Sequence, residues 1–127
     1  MMTDRGRRKV EPGFLTVRRK GKTVCPASSF QQMVSGKYKL RILWGLQNGW
    51  RRYSEIQRGL LTGSVDSEEI APRVLSRELK TLVTMGMVER KDHRVFPHKV
   101  EYRLTRKGRT FLPIIAVIHK WGLRHLV

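Results

Sequence analysis

The segment IAPRVLSRELKTLVTMG, residues 70–86, constrains the fold of this chain more than any other part of the sequence. Its apolar residues recur at the spacing of an amphipathic helix, Pro72 fits the first turn, and Gly86 fits a C-terminal cap. At about 100 degrees per residue, the apolar side chains fall on one face and the basic and hydroxyl side chains on the opposite face. The polar face carries Arg73, Ser76, Arg77, Lys80 and Thr84, and the apolar face carries Ala71, Leu75, Leu79, Leu82 and Gly86.

After this helix the sequence changes to the two-residue period of β-strands. The segments MVERK, 87–91, and KVEYRL, 99–104, are predicted strands, and the second alternates apolar with charged side chains. Between them DHRVFPH, 92–98, is a loop with one proline. The pattern predicts a β-hairpin whose tip is basic, with Lys91, His93, Arg94, His98 and Lys99.

The remaining elements are predicted to be helices. One begins near Pro26 or Ser28 and ends at Gly36, a second lies within 37–49, and a third covers 51–61. Thr105 offers an N-cap to a final helix over about 106–122, in which Pro113 should cause a kink or start a second segment. The fold class is therefore mainly α with a small antiparallel β-hairpin, in the order of a winged helix-turn-helix. It would occupy residues 25–127, after a basic, mobile arm over residues 1–24.

The charge balance indicates an anionic partner. The chain has 27 Lys and Arg against 10 Asp and Glu, a net charge of +17. Residues 1–24 account for +6, which leaves +11 on residues 25–127. The predicted domain is therefore basic without the arm, and double-stranded DNA is the predicted partner.

Cysteine content and hydropathy favour an intracellular protein. The single cysteine, Cys25, cannot form an internal disulfide, which fits a reducing compartment. The N-terminal sequence is charged and lacks an apolar signal core, and the most apolar run, 111–118, is shorter than the roughly 20 residues that span a bilayer. We expect a cytoplasmic protein with no membrane partner, and the alternative is a basic protein that lies on a membrane surface through an amphipathic helix.

The predicted polar face of 70–86 suits a helix that reads the major groove, where arginine can pair with guanine. Arg51 and Arg52 would open the third helix and, with Lys37, contact DNA phosphates. The alternative is that these helices and the hairpin merely present solvated charged surfaces. The predicted readers on the helix are Arg73, Val74, Ser76, Arg77 and Lys80.

An enzyme is disfavoured. The sequence has no patterned carboxylate pair, no glycine-rich phosphate loop and no nucleophile with a credible base. The four histidines lie near the predicted wing and the C-terminal end, without a cysteine beside them, so a zinc site is weakly supported. We predict no catalytic residue, no metal ligand and no cofactor.

From residue 25 onward the chain resembles the HxlR-type winged-helix transcription regulators, which are related to the MarR class. The matching pieces, in order, are CP, GKYKLRIL, RRYSEI, PRVLSRELKTLVTMGMVER, VEYRLTRKG and WG. The resemblance implies a dimeric DNA-binding regulator with its recognition helix at 70–85, where Arg73, Ser76 and Arg77 would read DNA, and its wing at 91–99. The chain departs from the family pattern at Tyr38, where tryptophan is usual, in the longer connection LTGSVDSEE, and in a wing with one proline rather than two.

The final helix supports a dimer independently of the resemblance. Its apolar stripe is broader than the roughly 100 degrees that a one-sided surface helix needs, so a second apolar partner is expected. The alternative is a helix that lies deeper in its own core. The resemblance adds the N-terminal segment to the interface, so the predicted dimer residues are Phe30, Phe111, Ile114, Ile115, Ile118 and Trp121.

Cys25 would lie at the start of the first helix, beside Pro26. A helix N-terminus lowers the pKa of a thiol, and Lys22 could add to this effect. The resemblance offers a redox or electrophile sensor at this position, because some HxlR-type proteins use a cysteine here in that way. The alternative is a cysteine without a sensing role, since a buried cysteine is chemically quiet.

Two functions therefore remain open. One is a sequence-specific transcription regulator that binds a two-fold operator as a homodimer, and the other is a non-specific, architectural nucleic-acid-binding protein.

Overall fold

A computed structural model describes residues 10–11, 15–61 and 70–127 of the chain. The predicted loop over 62–69, and residues 1–9 and 12–14 of the predicted arm, lie outside the described residues. The chain forms two compact units that divide between Gly36 and Lys37. The predicted domain boundary, between residues 24 and 25, therefore falls inside the first unit.

The first unit contains a small antiparallel sheet followed by a helix. The elements are β1 (Val10–Glu11), β2 (Thr16–Arg19), β3 (Lys22–Val24) and α1 (Pro26–Met33). The strands are arranged in the order β1-β2-β3. Lys20 and Gly21 connect β2 to β3, and both have positive φ angles, 51° and 76°, as a two-residue type I′ hairpin turn requires.

This hairpin differs from the prediction for residues 1–24, which gave no regular structure. Strand β2 is short, and basic residues fill its second half and the turn, so the two-residue period is hard to see in the sequence. Val17 nevertheless pairs with Val24, and two valines face each other across the strands. That residues 1–24 form a mobile arm stays a prediction.

The second unit has the predicted order of helices and hairpin, with one additional short strand. The elements are α2 (Lys39–Gly45), β4 (Arg51–Arg52), α3 (Tyr53–Leu61), α4 (Pro72–Thr84), β5 (Val88–Asp92), β6 (Val100–Leu104), α5 (Arg106–Thr110) and α6 (Leu112–His125). Strands β4, β6 and β5 form an antiparallel sheet in that order, with Arg90 opposite Tyr102 and Arg51 on the other side of Tyr102. This confirms the predicted fold class.

Two local predictions change in the structure. Arg51 and Arg52 form a strand rather than the first turn of α3, because their backbone pairs with β6. The predicted final helix is divided into α5 and α6, and Pro113 lies in the first turn of α6, where a missing N–H removes no helical hydrogen bond. Pro113 therefore starts a second segment, which was one of its two predicted effects.

The core of the second unit lies beneath the apolar face of α4. Leu75, Leu79 and Leu82 are buried at the predicted spacing. The other buried apolar side chains come from the surrounding helices and strands, and they are Ile42, Leu43, Leu46, Ile56, Leu60, Ile70, Met87, Val88, Tyr102, Leu104, Phe111 and Ile115.

A buried ion pair joins α2 to the same face of α4. The Lys39 Nζ lies 3.0 Å from both Oε1 and Oε2 of Glu78, and each side chain is only 7% exposed. Each of these buried charges is stabilised by the other, because a single charge in this site would be desolvated without compensation. The pair therefore fixes which face of α4 points into the core.

The C-terminal end of α4 is held by the segment that begins α5. Gly86 ends the helix with a φ of 76°, and its carbonyl accepts a hydrogen bond from the Thr105 hydroxyl. Lys107 Nζ donates to the carbonyl of Met85 at 2.9 Å. A methyl group on Gly108 would overlap the Met87 carbonyl oxygen, so the two backbones can approach this closely only because residue 108 is glycine.

Candidate nucleic-acid interface

Helix α4 presents a polar face to solvent opposite its buried face. Arg73, Ser76, Arg77 and Lys80 are all exposed, and Val74 is half-buried at the edge of this face. The structure thus brings the five predicted reading residues together on one helix. A helix with this division can pack on a core with one side and enter a major groove with the other.

The first turn of α4 is held by the preceding helix. The Tyr53 hydroxyl, at the start of α3, donates a hydrogen bond of 2.9 Å to the Pro72 carbonyl. The Ser76 hydroxyl lies 3.5 Å from the same Tyr53 oxygen. Tyr53 therefore positions the N-terminal end of the reading face, a role that sequence analysis did not identify because the two residues are far apart in the chain.

The predicted wing is less cationic than its sequence suggests, because two carboxylates lie within it. Glu101 Oε1 is 2.7 Å from His93 Nε2 and 3.8 Å from Lys99 Nζ. Asp92 Oδ2 is 3.6 Å from His98 Nε2. Three of the five predicted wing residues are thus paired with acidic groups, which reduces the positive potential that they offer to DNA.

The remaining two wing residues are exposed cations. Arg94 lies at the tip with a φ of 51°, and its backbone N–H donates to Asp92 Oδ1 at 2.9 Å. This hydrogen bond is the first cause that lowers the pKa of the Asp92 carboxyl, with nearby His98 and arginine charges adding to it. Within the described parts of the chain, neither the Arg94 nor the Lys91 side chain takes part in an ion pair.

Trp50 supports the wing from the side of β4. The Arg103 guanidinium lies 4.5 Å from the centre of a Trp50 ring, and the Lys91 Nζ lies 5.9 Å from it. Arg103 also pairs with Glu89 on the neighbouring strand. Cations over an indole face are attracted by its quadrupole, so Trp50 orients two cationic side chains of the hairpin. The sequence signal for this contact was only a lone tryptophan before two arginines.

The three predicted phosphate contacts do not form one cluster at a helix start. Arg51 is half-buried, and its Nη1 donates to the Trp50 carbonyl at 3.0 Å. Arg52 is exposed, and its backbone N–H donates to Glu55 Oε1 at 2.8 Å. Lys37 is exposed and lies 5.8 Å from the ring centre of Tyr38. Arg52 and Lys37 thus present charge to solvent, whereas Arg51 supports the Trp50 backbone.

The predicted dimer residues separate into two groups. Phe111 and Ile115 are buried in the core of their own unit, at 5% and 8% exposure. Ile114, Ile118 and Trp121 are 49%, 38% and 57% exposed. The predicted stripe therefore combines core positions with surface positions, because α6 is buried along one edge only. Phe30, on α1 in the first unit, is 37% exposed.

Cys25 is the N-cap residue of α1. Its Sγ accepts a hydrogen bond of 3.4 Å from the Ser28 backbone N–H, and Pro26 occupies the first turn. Hydrogen bonding from Ser28, first from its side chain and then from its backbone, lowers the pKa of the thiol. The side chain is half-buried. The predicted place at a helix start is confirmed, although the described contacts attribute the effect to Ser28 and not to Lys22.

The described residues show neither a metal-binding cluster nor a membrane-spanning helix. Residues 10–11, 15–61 and 70–127 contain no group of three or more His, Cys, Asp and Glu side chains that could hold a metal ion. Nor does any helix within those ranges have the length and apolar character to cross a membrane.

Comparison with known proteins identifies the family. Residues 33–127 match the model of the HxlR-like helix-turn-helix family. The chain is 34% identical over 110 residues to the regulatory protein MalR of Fusobacterium mortiferum, a match that covers 86% of this chain and 97% of that protein.

Solved structures agree. A crystal structure described as a MarR-family transcriptional regulator of Porphyromonas gingivalis W83 superimposes with a TM-score of 0.72 at 32% identity, covering 86% of this chain and all of the other. The redox regulator HypR in its oxidised form superimposes with a TM-score of 0.68 at 30% identity, covering 81% and 99%. The chain therefore belongs to the HxlR-like helix-turn-helix family and is a DNA-binding transcriptional regulator of the winged helix-turn-helix type.

Proposed function

We propose that this regulator binds a two-fold operator as a homodimer and reads its sequence through α4. The observation that carries the proposal is the division of α4 into a buried apolar face and an exposed face of arginine, serine and lysine. Arg73 and Arg77 have the reach and geometry for guanine edges, Ser76 can bond either base edges or phosphate, and Lys80 is suited to phosphate.

The wing and the strand before α3 supply the contacts that position α4. Arg94 and Lys91 are the wing cations that form no ion pair within the described residues, so they carry most of the hairpin's attraction for phosphate. Arg52 and Lys37 are exposed and can bind backbone phosphates. These contacts contribute affinity without sequence information.

Binding to a selected operator, measured against competitor DNA over a range of salt concentrations, tests this function. Arg77→Ala should cost about 1–3 kcal/mol on the operator and much less on competitor DNA. Arg94→Ala should weaken binding to the operator and binding to competitor DNA by a similar factor. Arg106→Ala, at an exposed position on α5, is the matched control and should change neither of these affinities. Equal wild-type affinities for operator and competitor at every salt concentration would exclude sequence-specific regulation.

The non-specific, architectural alternative is favoured by one observation, the net charge of +17. It predicts a steep salt dependence with no preference between operator and competitor, and retention of binding by Arg77→Ala. The same titrations therefore separate the two functions.

The homodimer is proposed to form through the exposed apolar positions of α6. Ile114, Ile118 and Trp121 lie on the same side of this helix, and Phe30 on α1 is a further apolar surface residue. Their burial against a second copy would remove large apolar side chains from water at about 25 cal/mol per Å² of area. Two-fold symmetry of the protein would then match two half-sites on the duplex.

Sedimentation or light scattering tests the interface. Trp121→Glu and Ile118→Glu should shift the protein toward monomer, because each places a charge in a desolvated contact. Lys120→Glu lies on the same helix, at an exposed polar position, and is the control for helix stability and net charge. A wild-type monomer at micromolar concentration, or a dimer that is unaffected by both apolar substitutions, would refute this interface.

A redox response through Cys25 is the finer part of the proposal. Its thiol has a lowered pKa, so more of it is thiolate, the nucleophilic form, at neutral pH. HypR, which superimposes on this chain, is described as a redox regulator. Two thiols, one from Cys25 and one from a second copy or a small thiol, would form a disulfide while diamide takes up their two electrons and two protons at its N=N bond.

Cys25→Ser provides the test, because it retains a side chain that can cap α1. The variant should bind operator like the wild type in reducing buffer and should lose any change in affinity caused by diamide. A wild type that is indifferent to diamide, or a variant that responds equally, would contradict the sensor role.

A further inference from the structure

A second basic hairpin, formed by residues 16–24, lies outside the domain that the family shares. The family model begins at residue 33, whereas β2, its turn and β3 occupy residues 16–24. We call this hairpin the basic ribbon. Neither the proposed contacts of α4 nor those of the wing make use of its positive charge.

Positive charge is concentrated at the tip of the basic ribbon. Four of the five residues from 18 to 22 are arginine or lysine, and no acidic residue occurs between Glu11 and Glu55. Arg18, Arg19, Lys20 and Lys22 are all exposed. Unlike the wing, whose cations are partly neutralised by Asp92 and Glu101, this tip has no carboxylate in its own sequence.

The pairing of the strands places like charges opposite each other. Arg19 is the direct cross-strand partner of Lys22, an arrangement that disfavours the hairpin in the absence of an anion. Lys20 occupies the first turn position at a φ of 51°, where asparagine or glycine would be less strained. Folding alone therefore explains neither the charge at the tip nor the choice of lysine in the turn, and a bound polyanion would relieve the repulsion.

We propose that the basic ribbon binds the phosphate backbone of duplex DNA that flanks the operator, independently of base sequence. This rests on the proposed function and extends the contact beyond the reading helix and wing. Residues 34–38 connect α1 to α2, and five residues span at most about 18 Å. Because the ribbon and the second unit belong to one chain, binding of the second unit to a duplex raises the effective concentration of the ribbon at that duplex, which favours DNA over other polyanions.

A charge-removal variant of the ribbon tests the proposal without disrupting its turn. The triple variant is Arg19→Gln, Lys20→Asn and Lys22→Gln. Asparagine tolerates the left-handed conformation that residue 20 adopts, and Arg18, whose Nη1 lies 3.4 Å from the Thr23 hydroxyl, is retained. The control variant removes the same amount of charge at exposed positions of α5 and α6, through Arg106→Gln, Arg109→Gln and Lys120→Gln.

Affinity is measured on two duplexes, one limited to the selected operator and one extended by about two helical turns on each side. The ribbon variant should lose about tenfold in affinity for the long duplex, and its salt slope should fall by about 0.9 for each phosphate contact removed. Its affinity for the short duplex should match the wild type. Its unfolding midpoint should be equal or higher, since a like-charge pair has been removed.

Several results would overturn the proposal. They are an unchanged affinity for the long duplex, an equal loss on both duplexes, and an equal loss in the control variant. A ribbon-dependent interaction with vesicles of anionic phospholipid, together with unchanged binding to the long duplex, would assign the charge to a membrane surface instead. The affinities of the wild type and of Arg77→Ala for the short duplex test the proposed function separately, because the ribbon makes no contribution there. If these two affinities are equal, the proposed function has failed, whatever the ribbon variant shows on the long duplex.

Discussion

Breaking the buried pair between Lys39 and Glu78 should destabilise the regulator far more than an ordinary surface substitution would. Glu78→Met leaves the Lys39 ammonium without its carboxylate in a site that is 6–7% exposed. Removal of one partner of a buried pair costs about 3–5 kcal/mol, because the other charge stays desolvated. Such a loss is a large part of the roughly 5–15 kcal/mol that stabilises a typical domain.

The double variant, Lys39→Met with Glu78→Met, should recover most of this loss. Both charges are then absent, and two side chains of similar volume remain to fill the space between α2 and α4. Replacement of a buried pair by apolar residues is often neutral or stabilising. The structure therefore predicts strong coupling in a double-mutant cycle, with a double variant more stable than either single variant.

Urea unfolding at one fixed protein concentration measures these effects, because association would otherwise contribute to the apparent stability. Glu89→Met is the matched control, since Glu89 pairs with Arg103 at a side-chain exposure of 42% and 49%. Exposed pairs contribute about 0–1 kcal/mol. If Glu78→Met costs no more than Glu89→Met, or if the two single losses simply add, the pair is solvated and the reasoning is wrong.

Three further predictions concern the α5 glycine, the thiol and the wing. Gly108→Ala should destabilise by about 1–3 kcal/mol or more in urea unfolding, because its methyl group overlaps the Met87 carbonyl, whereas Gly122→Ala, in open space, should be neutral or stabilising. The alkylation rate of Cys25 should rise with pH at a midpoint below that of free cysteine, and Ser28→Ala should move this midpoint upward; identical profiles would contradict the role of Ser28. Asp92 has a lowered pKa, so its contribution to the wing turn is present above the pKa of an unfolded aspartate and is lost as pH falls through the lower folded value. The NMR shift of the amide that bonds to it should titrate with that low midpoint, and a midpoint at the ordinary aspartate value would refute this.

Local patterns predicted most of the second unit correctly. The apolar spacing of α4, the alternation in β6, the Thr105 cap and the Gly86 terminus each depend on neighbouring residues, and each is found in the structure. The same local signals placed Arg73, Ser76, Arg77 and Lys80, which are predicted to read DNA, on one face, and the structure shows that this face is exposed.

Features that depend on distant residues could not be predicted. Strand β4 has only two residues and exists because β6 pairs with it, so helical spacing in the sequence assigned those arginines to α3. Periodicity placed Phe111 and Ile114 in one apolar stripe, but only packing of the helix decides that Phe111 is in the core and Ile114 is at the surface. Likewise, no pattern showed that the Glu101 carboxylate would lie within hydrogen-bonding distance of the His93 ring in the wing.

In the proposed dimer, the way in which the start of α5 holds the end of α4 would affect how strictly the protein discriminates the spacing between two half-sites. The contacts of Thr105, Lys107 and Gly108 restrict movement between α4 and the segment that leads to α6. In a dimer formed through α6, a change in the angle between the protomers would therefore move the two α4 helices as rigid bodies. A small rotation at the interface would change the distance between the two α4 helices. The dimer would then discriminate the spacing between half-sites as strictly as it discriminates base sequence.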